Sequence, residues 1–171
     1  EESGDQPFFL YLPFTIPHYP VQPDRRFLTQ YAHITDSARR EYAAYVSTLD
    51  DRVGQVLGKL DELGLREDTI VLFLSDHGHS TEERSGGGGS SGLLRGGKFT
   101  LWEGGIRTPL LLSWPGHLKE SELRPQPVTS MDILPTLAEL CDVDLPEKPL
   151  DGKSLVTTCQ SSSAKPPHEQ L

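Results

Sequence analysis

Cysteine is scarce: Cys141 and Cys159 are the only two in 171 residues, and no Cys-x-x-Cys spacing joins them. Neither a thiolate zinc site nor a disulfide framework is signalled, and the plain expectation is a buried Cys141 and an exposed Cys159. Positive charge is also short, 16 Lys and Arg against 25 Asp and Glu, for a net charge of -9. A protein that grips nucleic-acid backbone spreads Lys and Arg over one face, so that partner is excluded and an anionic ligand has to be met locally. No stretch is apolar for the length a bilayer requires, and no basic segment followed by an apolar core opens the chain, so no membrane partner and no signal peptide are legible. A Ser/His/Asp order, a nucleotide-binding glycine fingerprint and a Walker sequence are missing too, which leaves those chemistries without support.

What is present reads as α/β. The run Pro7-Phe8-Phe9-Leu10-Tyr11-Leu12 has the form of a strand that needs neighbours on both faces, and only polar residues precede it. Strands beyond these residues are therefore expected. Pro17, Pro20 and Pro23 then hold the backbone extended and place His18 in a stiff loop just past the strand end. From Thr35 or Asp36 as N-cap, apolar residues recur at helical spacing from Ala38 to Leu63, with Gly64 set as the C-terminal cap, so the pattern predicts one long helix. Asp50 and Asp51 in its middle fit a solvated or ion-paired face better than a ligand set. Residues 70–74 and 109–114 predict buried strands, Pro115-Gly116 a turn, and residues 131–140 a helix apolar on one side. A helix leading into residues 70–74 makes a plausible crossover between parallel strands. The glycine-rich residues 85–92 predict a loop folded back beside the site, and residues 157–171 a surface loop or linker following a domain over 1–156.

The chemistry gathers at the end of the second strand, where Ile70-Val71-Leu72-Phe73-Leu74-Ser75-Asp76-His77-Gly78 passes from an apolar run to a carboxylate, an imidazole and a glycine. Asp76 offers a hard oxygen suited to Ca²⁺ or Mg²⁺, and His77 a nitrogen better suited to Zn²⁺ or Mn²⁺, so the pair leaves the metal open. A helix cap beside a satisfied histidine is the structural alternative. Lys98, set behind Gly96 and Gly97, can approach an oxyanion closely as a point charge, where its structural alternative is a solvated loop lysine. His18 is placed to donate to an oxyanion or a leaving group. His79 and Arg95 are weaker candidates of the same kind. Glu103 and Arg107 read as a structural ion pair in a segment too rich in glycine for a helix.

These residues resemble the sulfatases of the alkaline phosphatase superfamily, over nearly the whole chain and in the same order. Residues 7–12 followed by His18-Tyr19-Pro20 are similar to the sulfatase strand and its His-Tyr-Pro turn. Ser75-Asp76-His77-Gly78 resembles the metal-binding Asp-Asn-Gly turn, with His77 where asparagine is commonest. Residues 93–109 resemble the signature around the active-site lysine, continued by Ser113-Trp114-Pro115-Gly116-His117. The resemblance implies the later part of a three-layer α/β sandwich with a mainly parallel central sheet, its N-terminal portion and a small C-terminal sheet lying outside these residues. It implies that Asp76 and His77 ligate a divalent cation, usually Ca²⁺, with Mg²⁺, Mn²⁺ and Zn²⁺ as alternatives, and that Lys98 and His18 hold a sulfate ester. The nucleophile is expected to be a formylglycine upstream, because neither Cys141 nor Cys159 stands in the Cys/Ser-x-Pro/Ala-x-Arg context. A sulfated small molecule or glycan would be the substrate, and an exported location, periplasmic, extracellular or lysosomal, is expected. Asp-His-Gly also looks like phosphodiesterases and phosphonate hydrolases of the superfamily, and a non-catalytic anion-binding remnant is the third reading.

Overall fold

The computed structural model describes residues 6–80 and 88–169. Among these, the order of elements is α1 (Arg25–Leu28), a 3₁₀ turn (Thr29–Tyr31), α2 (Ser37–Glu62), β1 (Val71–Leu74), α3 (Glu103–Ile106), β2 (Leu110–Ser113), a second 3₁₀ turn (Ser130–Asp132), α4 (Ile133–Leu140) and α5 (Val156–Gln160). They form two compact units, one drawn from residues up to Leu65 together with Leu72–Leu111, the other from Arg66–Val71 together with the residues from Leu112 onward.

The first unit is organised by α2, which begins and ends where its sequence predicts. The Asp36 carboxylate accepts the Arg39 amide at 2.7 Å, satisfying one of the free N–H groups of the first turn. At the other end Gly64 takes φ +68, the Gly64 amide bonds the Asp61 carbonyl at 3.0 Å and the Leu65 amide bonds the Leu60 carbonyl at 2.9 Å. Those two bonds use carbonyls the helix leaves free, and only glycine takes that φ without a steric cost. Ala44, Tyr45 and Thr48 form the buried face. Thr48 Oγ1 donates to the Ala44 carbonyl and accepts the Asp24 amide at 3.0 Å, which holds α1 against the helix. Asp51 accepts from Gln55 at 2.9 Å and lies 3.3 Å from Arg26, the ion-paired face expected for it.

In the second unit Asp132 is wholly buried, and its carboxylate accepts from the Thr129 amide (2.9 Å), the Lys153 amide (2.7 Å) and His168 Nε2 (2.8 Å). Thr136 on α4 donates to the Asp132 carbonyl and accepts the Leu155 amide at 2.9 Å, so α4 meets the segment entering α5 through a satisfied polar core.

β1 and β2 pair as a two-stranded antiparallel sheet. Thr108 Oγ1 donates to the Ser75 carbonyl beyond the end of β1, whereas Arg66 Nη2 reaches Ser113 Oγ before its start. Both strands lie where they are predicted, but Phe73 and Leu74 are exposed. The mainly parallel sheet is what the family resemblance implies; among the described residues the pair present is antiparallel.

Four local expectations change. Residues 7–12 are exposed and form no strand among the described residues, because a strand forms only against a neighbour. Residues 103–106 form one helical turn despite their two glycines. The loop expected from residue 157 opens inside α5, where Thr158 is buried. The cysteines are reversed, Cys141 exposed as the C-cap residue of α4 and Cys159 half-buried in α5. Of the glycine-rich loop, residues 85–87 lie outside the described residues.

Candidate active site

β1 ends at Leu74 and the chain turns through residues 75–79, all within the first unit. Ser75 Oγ donates to the His77 carbonyl at 2.9 Å. His77 Nδ1 lies 2.8 Å from the Gly78 carbonyl oxygen. A carbonyl can only accept, so Nδ1 carries the hydrogen and Nε2 of a neutral ring is the lone-pair nitrogen. That Nε2 stands 3.3 Å from Asp76 Oδ2. Two lone pairs at this distance repel, so the contact calls for a positive charge shared between them, a proton on Nε2 or a cation. The Asp76 side chain is 83% exposed, which leaves its carboxylate open to such a partner.

Gly78 is what allows this turn to seat. Its N–H donates to the Gly105 carbonyl at 2.8 Å, and a Cβ there would lie 1.8 Å from the Gly104 carbonyl oxygen. The same closeness holds on the other side of α3, where the Gly104 N–H donates to the Arg95 carbonyl at 2.7 Å and a Cβ on Gly104 would lie 2.3 Å from the Gly96 carbonyl oxygen. Backbone therefore packs on backbone three layers deep, from the Asp76 turn through α3 to residues 95–97. Arg95 closes the outside of this stack, its guanidinium 3.7 Å from the Trp102 ring. The Arg107 to Glu103 ion pair, at 3.2 Å, is the structural pair its spacing predicts.

Lys98 enters by the same route. Its amide donates to the His79 carbonyl at 2.8 Å, so the loop bearing the lysine is tied directly to the turn bearing Asp76 and His77. Phe99, the next residue, takes φ +72, a left-handed conformation uncommon for a bulky side chain, and Lys98 Nζ lies 5.0 Å from its ring centroid. Thr100 Oγ1 locks this reversal by donating to the Gly97 carbonyl at 2.8 Å.

His18 stands apart from that stack in its contacts. Its amide donates to the Thr15 carbonyl at 2.8 Å, Nδ1 donates to the Tyr19 carbonyl at 2.8 Å, and the ring stacks on Tyr19 at 4.3 Å. Nε2 is thereby left free on an exposed ring. The structure thus links Asp76, His77 and Lys98 through backbone bonds, whereas the bonds of His18 stay within its own turn.

The donors offered to a metal are one carboxylate oxygen and one imidazole nitrogen side by side. Among the described residues no cluster of three or more His, Cys, Asp or Glu side chains is present. A carboxylate oxygen and an imidazole nitrogen are donor types that divalent cations accept, and two of them fall short of a full coordination shell. Sequence reading missed why Gly78, Gly104 and Gly105 are glycines, because close backbone approach between segments distant in sequence is a three-dimensional fact.

A model of the sulfatase family matches residues 1–143. Mouse (Mus musculus) steryl-sulfatase is 37% identical over 97% of this chain and 26% of its own length, and human (Homo sapiens) arylsulfatase A is 40% identical over 90% of this chain and 29% of its own. Among solved structures, Ps i-CgsB in complex with k-i-k-neocarrahexaose superimposes with a TM-score of 0.82 at 32% identity, covering 88% of this chain and 33% of that one. The chain spans between a quarter and a third of the length of these proteins.

Proposed function

The chain belongs to the sulfatase family, and from it we propose that the protein of which these residues form part hydrolyses a sulfate ester, releasing an alcohol and inorganic sulfate. The observation that carries the reading is the backbone bond from Lys98 to His79, which ties a lysine loop to a carboxylate and imidazole turn. A lysine ammonium is a point charge suited to a sulfate oxygen, and Lys98 is assigned that contact.

Asp76 Oδ2 and His77 Nε2 are assigned to a divalent cation, Ca²⁺ first, because their mutual approach calls for positive charge between them. When bound, such a cation draws charge from the sulfate oxygens. Asp76 and His77 would hold it, their turn being fixed by the bonds from Ser75 Oγ to the His77 carbonyl and from His77 Nδ1 to the Gly78 carbonyl. His18 is assigned to the leaving oxygen. Its Nδ1 is committed to the Tyr19 carbonyl, so donation falls to Nε2, which must be protonated when the alcohol departs. The nucleophile is assigned to a formylglycine outside these 171 residues, since no Cys or Ser here stands in the x-Pro/Ala-x-Arg context. For the alcohol, a sulfated carbohydrate is favoured by the likeness to Ps i-CgsB, which was crystallised with a hexaose. An exported location accompanies that substrate class.

The deciding experiment compares 4-nitrophenyl sulfate with 4-nitrophenyl phosphate in the full-length protein, with and without a chelator. Sulfate turnover that chelation abolishes and added Ca²⁺ restores is expected, together with a loss of about 10²-fold or more in kcat/KM for Lys98→Met. Faster hydrolysis of the phosphate would replace the reading with a phosphoesterase. A sulfated disaccharide tested against a steryl sulfate then decides the alcohol.

A further inference from the structure

A cavity of about 360 Å³ opens within the first unit, lined by Tyr31, Arg39, Tyr42, Val46, His79 and Ser90, with Ala43 also on its wall. It is distinct from the surface of Asp76 and Lys98 but shares one residue with their support, His79, whose carbonyl holds the Lys98 amide. The wall has a consistent chemistry. Among the described residues the Arg39 guanidinium is its sole formal charge and no carboxylate lines it, and Arg39 donates to the Gly88 carbonyl. A guanidinium offers five N–H donors, so most of its capacity is uncommitted among the described residues. The Tyr42 hydroxyl is held protonated by its burial, which pushes its pKa up, and Ser90 adds a second hydroxyl. His79 Nδ1 is shut from solvent with no hydrogen-bond partner among the described residues, an exception that marks a polar site short of its complement. The remaining wall, Tyr31, Ala43 and Val46, is apolar or aromatic.

From this we infer that the cavity is a binding site for a compact organic anion, its charged group on Arg39 and Tyr42 and its flat or apolar body against Tyr31 and Val46. The volume admits a ligand of one ring. Because the occupant touches His79, it stiffens the turn to which Lys98 is anchored. The inference is independent of the sulfatase reading.

The test titrates the full-length protein with benzoate, followed by ligand-observed NMR, against benzyl alcohol as the neutral isostere. Saturable benzoate binding is expected, at least tenfold tighter than benzyl alcohol. Arg39→Met and Ala43→Phe, the latter filling the cavity, are each expected to weaken it at least tenfold, whereas Arg39→Lys retains it within about threefold, the charge being kept. Lys98→Met leaves it unchanged. Thermal unfolding of each variant confirms that the fold is retained. Absence of saturable binding, equal affinity for benzyl alcohol, or binding that Lys98→Met removes while Arg39→Met and Ala43→Phe spare would overturn the inference, the last by sending benzoate to the sulfate site. Loss of sulfatase activity with benzoate binding intact would instead count against the proposed function alone.

Discussion

A methyl group on residue 78 would lie 1.8 Å from the Gly104 carbonyl oxygen, and the obstacle is backbone on both sides rather than a movable side chain. Gly78→Ala is therefore expected to destabilise by roughly 1–3 kcal/mol, the range of an overpacked site, and to lower turnover of the full-length protein as Asp76 and Lys98 lose their common support. Urea unfolding measures the first effect, and an unchanged midpoint would mean that the turn does not seat on α3. The two thiols differ for another reason. Burial raises the pKa of Cys159, only partly offset by Arg124, whereas Cys141 is exposed. Since the thiolate is the reactive form and Cys141 is exposed, iodoacetamide should modify Cys141 first, and the pH profile for Cys159 should lie above that of an ordinary thiol. Mass spectrometry of partly alkylated protein reads both. At this scale the sequence singles out Asp76, His77 and Lys98 by their intrinsic chemistry, and the structure joins their loops through the bond from the Lys98 amide to the His79 carbonyl. The cysteine placement was not legible, because residue type predicts average burial, and Cys141 happens to fall at a helix end.

Elements were legible where local signals agreed with packing. α2 has a capping carboxylate and a terminal glycine, both realised in bonds, and apolar residues at helical spacing, of which Tyr45 is buried while Val46 and Leu63 are exposed. Asp36→Ala should cost about 1 kcal/mol by removing the cap, and Gly64→Ala a similar amount by forcing a Cβ into the left-handed region. Thermal midpoints of the two single variants and the double variant test this, with near-additive losses expected because the sites lie at opposite ends of the helix. α3 was missed because glycine propensity argues against a helix, yet a Cβ at Gly104 would strike the Gly96 carbonyl and one at Gly105 the Thr100 carbonyl. Tertiary packing chose those glycines against local preference. The Asp132 arrangement had a readable half, Thr129 and Asp132 as a capping box, but its bonds to Lys153 and His168 cross 21 and 36 positions in sequence. No periodicity could disclose them. Asp132→Ala is expected to cost about 3 kcal/mol or more, since three donors lose one buried acceptor.

For the molecule as a whole, the apolar residues still exposed govern what these 171 residues do alone. Phe9 is 82% exposed and Tyr11 76%, on a segment whose sequence reads as a strand for the interior. Leu93, Phe99 and Leu101 are exposed around Lys98 as well. An extended apolar segment with unpaired amides is a template for pairing with another chain. The 171-residue chain expressed alone should therefore self-associate, and Phe9→Lys with Tyr11→Lys should reduce the association by charging that segment. Light scattering against concentration measures it, and a stable monomer at tens of micromolar would show that the segment is content in water. The same chain should not turn over 4-nitrophenyl sulfate. It holds a lysine, a histidine and two donors for a cation, but an ester of sulfate also needs a nucleophile, and none stands here in the required context. Metal-dependent turnover by a preparation of these residues alone, abolished by Lys98→Met, would place a nucleophile within the 171 residues and overturn the assignment of that role to a formylglycine elsewhere.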